Sequence, residues 1–98
     1  MATVTDIGTL IVMTPAIRGG RPRVAGTGVT VRRVVGRYKL GLSPEEIADE
    51  FGHLTLAQVY AALTYYHANR EQIEADLAAE EADTRALEDQ HRRTSGRV

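Results

Sequence analysis

The chain has 98 residues, 43% of them hydrophobic and 26% charged, with no Cys, no Trp and a formal net charge of −1. That is enough for one modest core, which excludes a two-domain enzyme, and the missing cysteines exclude disulfides, thiolate metal sites and cysteine nucleophiles. The near-zero net charge hides an asymmetry. Residues 1–41 hold seven Arg/Lys against Asp6 alone (+6), whereas residues 42–98 hold five Arg against twelve acids (−7). A basic front on an acidic back points to two different partners, one of them polyanionic.

Residues 1–29 are rich in Gly, Pro, Thr and Val. The apolar runs Ile11-Val12-Met13 and Arg23-Val24-Ala25, punctuated by Pro15, Gly19-Gly20 and Pro22, predict short strands or extended arms. A first helix is expected behind Thr30 as cap, with Val31, Val34, Val35 and Tyr38 on its buried face and Gly41 as its stop. The second runs over 43–51, opened by a Ser43-Pro44-Glu45-Glu46 capping box, buried through Ile47, Ala48 and Phe51, and ended by Gly52. The third runs over 55–68 from a Thr55–Gln58 capping box, with Leu56, Val59, Tyr60, Leu63 and Tyr66 on one side.

From Asn69 to Gln90 the chain is Ala-, Glu- and Asp-rich, with Ile73, Leu77 and Leu87 as its large apolar residues. A helix there would be roughly 33 Å long, and three anchors are too few to bury it on a small domain. It is expected to dock on a partner or stay mobile, followed by a flexible basic tail, His91 to Val98. The expected fold is α-rich (α+β minor): short N-terminal β-strands, a three-helix helix-turn-helix-like core and a long C-terminal helix. Residues 1–69 form the β element and core, and residues 70–98 the partner-binding helix and tail. No run reaches the ~20 apolar residues of a membrane span, and no positive segment precedes Leu10 to Met13, so a cytoplasmic protein is expected.

Helices 43–51 and 55–68 meet across Gly52-His53-Leu54, the spacing of a helix-turn-helix. The helix that would read bases offers Thr55, Gln58 and Thr64 but no Lys or Arg, and the helix before it carries four acids. A DNA contact is therefore expected on Arg18, Arg21, Arg23, Arg32, Arg33, Arg37 and Lys39, with Gln58, and doubled by a homodimer. The alternative is a solvated basic face paired with the acids of helix 43–51. Exposed edges of the N-terminal strands also favour an isologous dimer. Catalysis is not expected. Ser43 is a helix cap, Ser95 lies in the tail, and His53, His67 and His91 do not repeat at ligand spacing, so neither a nucleophile, a metal nor a cofactor is implied.

One known family shows several of these motifs in the same order. Pro15, then Gly20-Arg21-Pro22-Arg23-Val24-Ala25-Gly26-Thr27, Val29-Thr30-Val31, Gly41-Leu42-Ser43-Pro44-Glu45-Glu46-Ile47, Leu54-Thr55 and Ala61-Ala62-Leu63-Thr64-Tyr65 make the chain resemble domain-of-unknown-function family 433 over about residues 10–68. Two positions depart from that family's pattern: Gly28 stands where an Arg is usual, and Gly52-His53 follow Phe51 where an aromatic-Pro pair is common. The resemblance implies a VapB-type antitoxin of a type II toxin–antitoxin pair, partnered by a PIN-like ribonuclease and able to repress its own operon. On that reading Arg92, Arg93 and Arg97 would meet the carboxylates of the nuclease site, and Tyr65, Tyr66, Ile73, Leu77 and Leu87 would be apolar anchors. The competing expectation is a homodimeric helix-turn-helix-like interaction or DNA-binding module with no toxin partner.

Overall fold

A computed structural model describes residues 4–95. The fold is α-rich with a minor β element. Two strands, β1 (Ile11–Val12) and β2 (Arg23–Val24), are followed by α1 (Val31–Lys39), α2 (Pro44–Phe51), α3 (Leu56–Ala68) and α4 (Arg70–Ser95). The strands pair antiparallel, Ile11 opposite Val24 and Val12 opposite Arg23, and a further bridge joins Arg23 to Thr30. Each strand ends one residue earlier than expected, before Met13 and before the turn that begins at Ala25. α3 is the hub of the core, touching both strands and all three other helices, and α1 also packs against every other helix.

The helix boundaries follow local chemistry. At α2, Ser43 Oγ accepts from Glu46 N and Glu46 Oε1 from Ser43 N, closing the capping box, and Gly52 ends the helix with a left-handed φ of 74°. Thr55 and Gln58 make the same reciprocal bonds at α3. The end of α1 is a Schellman motif: Gly41, at φ 96°, donates from N to Tyr38 O, and Leu42 N donates to Arg37 O. Its start differs from expectation. Thr30 holds the N-cap position, but its side chain makes no cap bond, and Val31 N donates instead to Pro22 O at 2.9 Å. The β segment rather than a hydroxyl therefore fixes where α1 begins.

The core comprises Val24, Val29, Val31, Val34, Val35, Ile47, Leu54, Val59, Ala62, Leu63, Tyr66 and Ile73. Ala48 and Phe51, expected in the core, pack half-buried against it, and three other expected core residues lie outside it. Tyr38 stays at the surface, edge-on to His67 with ring centroids 6.0 Å apart, and Leu56 and Tyr60 point away from α1 and α2. Val59, Leu63 and Tyr66 of α3 are buried as expected, and Ala62 joins them in place of Leu56 and Tyr60, so the buried stripe is partly rotated from the expected one.

The long C-terminal helix behaves as two halves. Asn69 ends α3, its Nδ2 donating to Tyr65 O, and opens α4, accepting at its carbonyl from Ile73 N. Ile73 is completely buried and Leu77 packs on the core beside it, so the first three turns of α4 are part of the domain. Every residue from 81 to 93 is exposed. The expectation that the whole rod must find a partner or move is thus corrected for its first half: one fully buried Ile and a row of ion pairs dock it on α1. The helix also continues through Ser95, where a flexible tail was expected from His91.

Candidate partner-binding surfaces

Much of the basic front is neutralised inside the molecule. Arg32 Nε lies 3.1 Å from Glu80, its Nη1 donates to Asp76 O, and Arg21 Nε lies 3.8 Å from the Asp76 carboxylate. Lys39 donates to Glu74, with the second carboxylate oxygen at 2.7 Å. Arg37 meets Glu50 of α2 at 2.9 Å. The alternative of a basic face paired with helix 43–51 therefore holds for Arg37, whereas Arg21, Arg32 and Lys39 turn to α4. The acidic back half is in part the internal counter-ion of the basic front half.

The Lys39–Glu74 pair closes over the Tyr66 ring, with the Lys39 ammonium 6.0 Å and the Arg70 guanidinium 5.5 Å from its centroid. Hydrogen bonding to Lys39 holds the Glu74 carboxyl below the usual carboxylate range, and the same bond raises Lys39 above the ordinary lysine value. With Glu74 more acidic folded than unfolded, its contribution is fully present above its unfolded pKa of about 4.3 and is lost as pH falls through the lower folded value. Lys39 contributes below about pH 10.4 and loses that contribution as pH rises through its higher folded value. An NMR titration should find the Glu74 midpoint below that of a free glutamate, and Lys39→Ala should move it back up.

Arg18, Arg23 and Arg33 have no carboxylate partner among the described residues. Arg23 is structural: its Nη1 and Nη2 donate to Thr27 O and Thr14 Oγ1, bracing the turn after β2. Arg18 takes a left-handed φ of 53° and donates from Nε to Gly28 O at 3.2 Å. Its guanidinium fills the space where a side chain on Gly28 would begin, so the position that departs from the family pattern is covered by another arginine. Arg33 lies 5.2 Å over the Phe51 ring. Arg18, Arg32 and Arg33 share a shallow pocket of about 120 Å³ with Thr30 and Glu80 at the start of α1. Gln58 is tied into the α3 capping box through its Oε1.

The residues expected to anchor a partner nuclease separate into three groups. Tyr66 and Ile73 lie in the chain's own core, which corrects their reading as outward-facing anchors; Leu77 is half-buried beside them. Tyr65 is half-buried and donates its hydroxyl to Gln72 Oε1 of α4 at 2.8 Å. Leu87, Arg92 and Arg93 stand on the exposed half of α4, where the Arg92 guanidinium lies 3.7 Å from Asp89. Arg97 lies outside the described residues. Among the described residues, no three His, Asp or Glu side chains converge as a metal site would require, and no helix is long and apolar enough to cross a membrane.

A further surface was missed in the sequence. An apolar groove of about 560 Å³ runs along the outer face of α3, walled on its other side by Ile7, Leu10 and Ile11. The signal for it is that α3 carries no Lys, Arg, Asp or Glu in thirteen residues, so it is uncharged around its whole circumference.

The comparisons bear on the core of this architecture. The family described as "Protein of unknown function (DUF433)" matches residues 11–66, which run from β1 to the last turns of α3 and leave α4 outside. No curated protein matches the chain. A crystal structure of a DUF433 member protein from Anabaena variabilis ATCC 29413 superimposes with a TM-score of 0.67 at 31% identity, covering 71% of this chain and 69% of that one. With more than half of its length inside the matched span and a solved relative of the same fold, the chain belongs to the DUF433 family.

Proposed function

We propose that this protein is the antitoxin of a type II, VapB-like pair, which binds and neutralises a PIN-like ribonuclease and represses its own operon through DNA. The observation that carries this reading is the second half of α4. Residues 81–93 form helix beyond a domain whose core is already complete, and all of them are exposed. A single helix with so little apolar surface gains little from its own domain, and such a segment is suited to ordering against a partner. Its chemistry fits a metal-dependent nuclease. The acids Glu81, Asp83, Glu88 and Asp89 suit a basic RNA-binding surface, and Arg92 and Arg93 suit the carboxylates that hold the catalytic cation. Leu87 is the apolar contact between them. Purified from its native host, the full chain should bring a small nuclease with it; recovery of the chain alone would favour a helix-turn-helix-like module without a toxin.

Operator binding rests on Arg18 and Arg33, the outward-facing cations of the front half that carboxylates do not neutralise. Arg18→Ala with Arg33→Ala should weaken a mobility shift on the operon's promoter and reduce the salt slope by roughly 2. The paired Arg37→Ala should do less. A promoter fragment that does not shift at low salt, with or without the partner, would end the DNA reading.

A further inference from the structure

We infer that the groove on α3 is a homodimer interface, occupied by α3 of a second copy of this chain running antiparallel across a two-fold axis near Ala61 and Thr64. The face is large and apolar for so small a protein. Ile7, Met13, Leu56 and Tyr60 are 77, 55, 41 and 48% exposed, and with the small residues along α3 they present on the order of 600 Å² per protomer. Two such faces bury about 1,200 Å², the lower edge of the range for a stable interface, whereas patches of this size are seldom left open on a monomer.

Several features select a second copy as the occupant. The residues lining the strip carry no charged side chain, so two copies can meet there face to face without burying like charges. A nucleic acid or a strongly charged protein surface would find nothing here to pair with. Ala57, Ala61, Thr64 and Ala68 recur at spacings of four, three and four along one side of α3, which lets two helix backbones approach to about 8 Å. Tyr60, beside that row, then packs into the wall formed by the partner's N-terminal segment. This dimer does not use the edges of β1 and β2. It leaves the exposed half of α4 outside the contact in both copies, so it stands whatever α4 binds.

Sedimentation equilibrium of the full chain should give a particle of twice the 10.7 kDa monomer at micromolar concentrations. Ala61→Arg should weaken the dimer at least 100-fold with helical content unchanged, and Leu87→Arg should leave it intact. Because the natural chain has no cysteine, Thr64→Cys offers a second test independent of any loss of folding: mild oxidation should cross-link it to itself, and Leu87→Cys should not cross-link. A monomer up to 100 μM would overturn the inference. So would an Ala61→Arg protein that still dimerises, or a Thr64→Cys protein that fails to cross-link while dimeric.

Discussion

Ile73→Ala should destabilise the domain by about 2–5 kcal/mol, the cost of emptying a fully buried aliphatic site. The upper part of that range is expected, because the site lies between helices that cannot collapse separately. Ile73 is fully buried on α4, which reaches α1 through Glu74 and Glu80, paired with Lys39 and Arg32, and the segment before β2 through Asp76, paired with Arg21. Such partly exposed pairs add little to stability, so they cannot hold the helix once its apolar pin is gone. Urea unfolding should show the lower midpoint, and hydrogen exchange should show residues 70–80 losing protection ahead of α1. Leu87→Ala, at a site 67% exposed, should change stability by no more than about 0.5 kcal/mol. Equal effects at the two positions would mean that α4 does not dock as described.

On the proposed antitoxin reading, truncation after Leu87 should abolish most neutralisation of a co-expressed nuclease while leaving the unfolding midpoint of the chain unchanged. The deletion removes Arg92, Arg93 and Arg97, and its residues 88–93 are all exposed, so among the described residues no buried side chain is lost. The removed contacts are charge-assisted forks that would be desolvated against a carboxylate cluster, and removing one partner of such a pair commonly costs several kcal/mol of affinity. Growth rescue and co-purification give the same readout in two ways. Full protection by the truncated chain would rule out Arg92, Arg93 and Arg97 as the blocking groups and move the contact to residues 81–87, with Glu81 and Asp83 as its acids.

The two predictions divide α4 at the point where the sequence was hardest to interpret. Ile73, Leu77 and Leu87 are isolated apolar residues in an Ala/Glu-rich stretch, four and ten residues apart, and the sequence does not say that the first is core and the last is solvent. The distinction arises because α1 ends beside the start of α4, which brings Arg21, Arg32 and Lys39 within reach of acids 35 to 55 residues away in sequence. The same holds for the basic front. As a sequence it is seven free cations; in the fold four of them are spent on internal carboxylates, leaving Arg18 and Arg33 outward and Arg23 in a turn.

By itself the sequence determined what depends on a few neighbouring residues. Ser43 and Thr55 with their box partners start α2 and α3, and Gly41 and Gly52 stop α1 and α2, because caps and left-handed stops are satisfied within one turn of backbone. The α-rich class and the short strands follow from the same local rules. Only the tertiary structure decided which side of α3 is inside, since an uncharged helix has no polar face to orient it, and Leu56 and Tyr60 are as apolar as Leu63 and Tyr66. It also decided that Thr30 marks the start of α1 through the backbone of Pro22 rather than through its own hydroxyl. Burial and ion pairing are properties of what lies across the fold, and that information is absent from any single helix.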